Sequence, residues 1–227
     1  MVIVLKNQLR IVKKNIRQFI ENITSLFSSK ISDLLLAILL IPYLISKVGI
    51  ENYGRYVFAL SLTLFLVNII NYGFDLSAVR ELAKNRHKPK MLKKLLNKVL
   101  SVKLYLTILM LVILFVVVFT IPLLRVEKTM YFFALFLIIG DLFSLRWFFM
   151  GIEKMKYIPI INVGSKLLYV FLVIIFIKQS EDYEIIILLE GIGLFIVNIF
   201  SFLYIVRKKR IRIKLISFYK VKCPVLK

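Results

Sequence analysis

The chain of 227 residues contains one cysteine, Cys223, and one histidine, His87. A metal cluster needs several such ligands, and a thiol pair or disulfide framework needs two sulfurs, so these chemistries are excluded and no cofactor is expected. Acidic residues are scarce as well: 12 Asp and Glu stand against 33 Lys and Arg, for a net charge of +21. Residues 1–5 form only a short apolar patch before Lys6, with no hydrophobic stretch of secretory length and no small-residue cleavage site. The first helix is therefore expected to stay in the mature protein.

What the chain does have is apolar surface. It is 60% hydrophobic and 14% aromatic, with a mean hydropathy of +0.88. A soluble domain of this length is roughly half apolar with charges of both signs spread evenly, whereas here the cations cluster between long apolar stretches. A bilayer core of about 30 Å takes roughly 20 residues of helix, and six runs approach that length. Residues 31–46 are short and draw on 23–29; 56–74 and 104–124 are uninterrupted; 131–150, 157–177 and 185–206 carry one or two charges each. Continuous Leu, Ile, Val and Phe runs contradict the alternating strands of a membrane barrel. The expected fold is all-α, a polytopic six-helix membrane bundle with spans near 31–47, 56–78, 103–124, 130–150, 157–177 and 185–206. Residues 1–30 precede it and a basic tail, 207–227, follows.

Positively charged loops are retained in the cytoplasm, and every loop here votes the same way. Twenty-six cations fall in the N-terminal segment, the loop from Arg80 to Lys103, the turn holding Lys154 and Lys156, and the tail. Only Lys47, Arg55, Arg125, Lys128 and Lys178 fall opposite, while Arg146 and Lys166 lie within spans. Both termini are thus expected to face the cytoplasm. A basic stripe is also the footprint of nucleic-acid binding, but charge retention already accounts for the excess and no nucleic-acid partner is expected. Between Arg80 and Lys103, Leu82, Met91, Leu92, Leu95, Leu96 and Val99 recur at helical spacing. That pattern predicts an amphipathic helix on the membrane surface, with a solvated loop as the plain alternative.

Ionisable groups inside spans are costly and mark pairs or pathways. Asp141 and Lys166 each fall about 15 Å deep at 1.5 Å per residue. They either pair across helices or both line a water-filled cavity, with Arg146 nearer the cytoplasm. Asn68, Asn71 and Asp75 share one helix face, with Ser61 further back. The stripe is either the wall of a hydrophilic lumen, the reading preferred for Asp75, or a set of interhelical hydrogen bonds, preferred for Ser61. Glu190 reads as a snorkelling rim residue. Pro42, Pro122 and Pro159 are candidate kinks, and Tyr53, Tyr56, Tyr131 and Trp147 read as interfacial anchors.

Several segments resemble one family. These are Asn22 to Ser29, the turn Val48-Gly49-Ile50-Glu51-Asn52-Tyr53-Gly54, the stretch from Asn71 through Gly73, Asp75 and Arg80 to Ala83, and Trp147 to Lys154. In order and spacing, over roughly residues 15–219, they are similar to the polysaccharide flippases of bacterial O-antigen and capsule synthesis, within the multidrug/oligosaccharidyl-lipid/polysaccharide superfamily. The resemblance implies a substrate of undecaprenyl-pyrophosphate-linked sugar units, moved between leaflets by alternating access. It also implies a cationic lumen, for which Arg80, Arg146 and Lys166 are the matching candidates. Substrate or lumen candidates are then Asn68, Asn71, Asp75, Arg80, Asp141, Arg146 and Lys166, with no catalytic or metal residue.

Members of that family have twelve or more spans in two lobes, so six look like one lobe. The partners implied are a lipid-linked oligosaccharide, membrane lipids, and a second lobe or a second copy. The competing readings are half of a cation-coupled drug exporter and a non-transporting remnant or partner subunit. An integral membrane enzyme is disfavoured because the outer loops are short and poor in acids and bases.

Overall fold

The computed structural model describes residues 2–71, 73–211 and 213–214. Asp75, Asn22, Leu26 and most residues before Ile20 are placed in backbone only, so the expectation for the Asp75 side chain and most of the 207–227 tail lie outside the described residues. The described chain is all-helical: α1 Val2–Val48, α2 Ile50–Asn71, α3 Phe74–Lys84, α4 Pro89–Thr120, α5 Pro122–Val126, α6 Lys128–Leu142, α7 Arg146–Gly151, α8 Tyr157–Phe176, a 3-10 turn Ser180–Ile185, and α9 Ile186–Lys208. Among the described residues, six stretches are long and apolar enough to cross a membrane: 23–48, 50–84, 89–120, 128–151, 157–176 and 180–208. Six candidate spans were expected and six are found, two of them built from paired helices.

Local chemistry sets the breaks. Gly49 and Gly73 take φ of +83° and +80°, a region L side chains rarely adopt, and these residues end α1 and open α3. Pro89 and Pro122 occupy the first turns of α4 and α5, where the missing N–H has no partner to lose. Pro122 thus ends the third span rather than kinking it. Pro159 lies in the first turn of α8, and α1 continues through Pro42.

Packing order governs everything that follows. The sixth-span helix α9 sits between α6 and α8; α6 also packs on α2 and α4, while α8 also packs on α1. Gly191 and Gly193 allow the close approach: a Cβ at Gly191 would lie 2.8 Å from the Leu137 nitrogen, and one at Gly193 2.8 Å from the Ser165 carbonyl oxygen. Two apolar cores result. One joins α2, α4, α6, α8 and α9 through Leu66, Ile70, Leu114, Leu137, Val173 and Ile187. The other, at the cation-rich end, joins α3, α4, α7 and α9 through Leu82, Leu96, Trp147, Phe148 and Phe202. Large apolar side chains on the outer faces, such as Leu39, Phe171 and Ile174, are exposed, as a surface that meets lipid should be.

Two expectations are corrected here. Residues 80–103 do not form one surface helix. A turn at residues 85–88 separates α3 from α4, and Leu92, Leu95, Leu96 and Val99 are buried in the second core as the start of the third span. Tyr56, Tyr131 and Trp147 are not interfacial anchors either, since all three are buried. Tyr53 is half-buried.

Candidate functional site

Two polar cavities open within the bundle. The one nearer the cation-rich end, about 270 Å³, is lined by Asn68 and Asn71 of α2, Lys103 of α4, Asp141 of α6, Arg146 and Trp147 of α7, Asn162 and Ser165 of α8, and Asn198 of α9. The other, about 190 Å³, is lined by Asp33 of α1, Tyr53 and Tyr56 of α2, Asn162, Lys166 and Tyr169 of α8, and Glu190 of α9. Asn162, Ser165 and Leu194 line both, so the cavities form one polar track.

The larger cavity is organised by the end of α6. A helix terminus leaves carbonyls without intrahelical donors, and within a bilayer no bulk water replaces them. Asn198 Nδ2 donates to the Gly140 carbonyl at 3.0 Å, and Lys103 Nζ donates to the Asp141 carbonyl at 2.8 Å. Lys103 also meets Asp141 Oδ2 at 3.2 Å, and Asn71 Nδ2 donates to the same oxygen at 2.6 Å. A cation at a helix C-terminus also complements the helix dipole. Lys103 is almost fully buried, at 1% exposure. The loop assignment made for it from charge patterning is overturned.

The smaller cavity is organised by Asp33 of α1, the third residue of the apolar run that begins at Ile31. Lys166 Nζ lies 2.9 Å from Asp33 Oδ1, and Asn162 Nδ2 donates to the same oxygen at 2.6 Å and to Ser29 Oγ at 2.8 Å. Lys166 and Asn162 stand four residues apart on one face of α8. Deeper in, Tyr56 donates its hydroxyl to Glu190 Oε2 at 2.8 Å and lies 3.2 Å from the Tyr169 hydroxyl. Glu190 is thus a lining residue of the cavity with a tyrosine donor, not a snorkelling rim group.

The expected residues fall out as follows. Asp141 and Lys166 do not pair with each other, because α9 lies between α6 and α8; each has its own partner and each lines a cavity. Asn68 and Arg146 are exposed but line the larger cavity, and Asn71 is half-buried in it. Arg80 is exposed and lines neither cavity. Ser61 is exposed and bonds along its own helix to the Val57 carbonyl at 2.8 Å, not across helices. Sequence reasoning missed Asp33, Lys103, Asn162 and Asn198. An acid three residues into an apolar run, and a lysine bordering another, were the available signals.

A multi-pass helical membrane protein with a charged interior track is the class these features define. Residues 19–224 match the polysaccharide biosynthesis protein family, and the chain belongs to that family. It is 24% identical over 154 residues to the "Putative O-antigen transporter" of Escherichia coli (strain K12), covering 68% of this chain and 37% of that relative. It is 28% identical over 194 residues to the "Putative O-antigen transporter" of Shigella dysenteriae, covering 84% of this chain and 47% of that one. The chain therefore spans about half the length of the curated relatives it matches. No solved structure matches. The family anticipated from residues 22–29, 48–54, 71–83 and 147–154 is the one found.

Proposed function

We propose that this chain is the N-terminal lobe of a flippase that carries an undecaprenyl-pyrophosphate-linked oligosaccharide across the bacterial inner membrane, with both termini cytoplasmic. The observation that carries the reading is the polar track through an otherwise apolar bundle. Groups of this kind are costly in a membrane unless they face a cavity or one another, and here they do both. Asn68, Asn71, Asn162 and Asn198 offer amide donors and acceptors suited to sugar hydroxyls, and Trp147 an aromatic wall. Arg146 lines the larger cavity without a carboxylate partner among the described residues, so its guanidinium is available to a phosphate or acidic sugar. Lys103 and Lys166 are held by Asp141 and Asp33. They set the shape and potential of the track.

A two-lobe transporter binds substrate between lobes and rocks one against the other. With six candidate spans and about half the length of its relatives, this chain supplies one wall of such a site. A second lobe, either another chain or a second copy, supplies the other. The test is reconstitution of the purified chain in liposomes, alone and with a candidate second lobe. Access of an impermeant glycosidase to lipid-linked oligosaccharide is then measured beside crosslinking of the oligomeric state. Translocation only by an assembly of two lobes is the expected result. Robust translocation by a monomer would overturn the one-lobe reading, and its absence in every assembly would overturn the transport reading.

A further inference from the structure

Away from the polar track, α4 and α6 diverge toward the cation-poor face and leave an open groove of about 650 Å³. Its floor is Leu114, Val118 and Tyr131, which are buried, and its walls include Val112, Phe115 and Phe132, which are exposed. The groove is apolar along its length except at its outer end, where the exposed Lys128 and Thr129 line it.

Three observations say what fills it. On α4 it extends from Ile108 to Phe119, a rise of about 17 Å, close to one leaflet of a bilayer whose core is about 30 Å thick. A single acyl chain of one leaflet has that reach. Next, the charge stands only at the headgroup end. Finally, the neighbouring acid does not neutralise that charge: Glu127 turns inward to Arg55 Nη1 at 3.1 Å and to the Tyr183 hydroxyl at 2.9 Å. Lys128, and Arg125 three residues before it, have no acidic partner among the described residues. On a face that otherwise carries few cations, Lys128 stands at the mouth of an apolar groove, with Arg125 three residues before it in the chain.

We propose that this groove is a binding site for an anionic phospholipid, one acyl chain lying between α4 and α6 and the phosphate at Lys128. The Lys128 ammonium complements a phosphodiester with a neutral head, whereas a zwitterionic head brings its own ammonium to the same place. The proposal does not depend on the transport reading; it needs only that the helices lie in a bilayer.

The experiment is native mass spectrometry of the purified full chain, titrated separately with phosphatidylglycerol, phosphatidylethanolamine and undecaprenyl phosphate. A phosphatidylglycerol carrying a photoreactive acyl chain locates the site. Two variants accompany it: Lys128→Gln removes the charge, and Val112→Trp fills the groove from an exposed position. The expected result is preferential retention of phosphatidylglycerol and crosslinks to residues 108–119 and 128–135. Lys128→Gln should weaken retention about fivefold, the attraction one lysine supplies at an anionic lipid surface, and Val112→Trp should abolish the crosslinks. Equal retention of phosphatidylethanolamine, tighter retention of undecaprenyl phosphate, displacement by a second copy of the chain, or crosslinks unchanged in Val112→Trp would each overturn it.

Discussion

Lys103 Nζ and Asp141 Oδ2 lie 3.2 Å apart, joining α4 to the broken end of α6 where the two apolar cores meet. The lysine is buried, and the same ammonium caps the Asp141 main-chain carbonyl. The pair therefore closes a helix end as well as balancing a charge.

Removing one member should be worse than removing both. Lys103→Met leaves the Asp141 carboxylate with Asn71 as its remaining side-chain donor, and breaking a buried pair in this way costs about 3 kcal/mol. The double variant Lys103→Met with Asp141→Asn is expected to regain at least about 1 kcal/mol of that loss. Equilibrium unfolding in mixed micelles over the four-membered cycle measures it. Additive losses would show that the two residues do not interact.

The Asp33–Lys166 pair is more exposed, with side chains 30% and 36% accessible, and its contribution is correspondingly smaller. Screening by water in the cavity limits it to about 1 kcal/mol. Asp33→Lys and Lys166→Asp should each destabilise, and the exchanged pair should recover most of the loss. Failure of the exchange to recover anything would place these helices differently.

Glycines in the α6–α9–α8 seam have unequal duties. Gly191→Ala and Gly193→Ala each drive a methyl against main chain at 2.8 Å, so each should cost about 1–3 kcal/mol by overpacking. Gly54→Ala meets nothing within 4 Å in the middle of a turn of α2 and should be neutral or stabilising by up to about 1 kcal/mol. Thermal melts of the three variants check the ranking; an equal effect at all three sites would contradict the seam.

Orientation is tested by reporter fusions. A fusion after Arg86 should report cytoplasm and one after Glu181 periplasm, as the cation distribution requires. The reverse signals would invert the topology on which the direction of transport rests.

The helices were legible because membrane spans advertise themselves: six apolar runs of bilayer length needed no knowledge of neighbours. The partners of the buried charges were not. Depth along each helix brought Asp141 and Lys166 to similar levels, but depth says nothing of lateral order, and α9 stands between them. Lys103 was hidden for a different reason. It borders the apolar run that begins at Leu104, and the third-span helix is 32 residues long, so its apparent loop position lies well inside the folded helix. Asp33 was passed over because hydropathy averages out one carboxylate among aliphatic neighbours. Tyr56 and Trp147 looked like interface belts because ring position in sequence does not tell which way a ring faces.

Water and polar solutes should reach the track between Asn68, Arg146 and Asn162. Replacing the native Cys223 by Ser gives a background without cysteine, in which single cysteines can be placed at Asn68, Ser144 and Asn162 and, as lipid-facing controls, at Phe171 and Ile174. Labelling in membranes by a charged, membrane-impermeant thiol reagent is then measured at each. The track positions should label and be protected by lipid-linked oligosaccharide, while the controls stay unlabelled; silent track positions, or labelling no different from Phe171 and Ile174, would contradict the account.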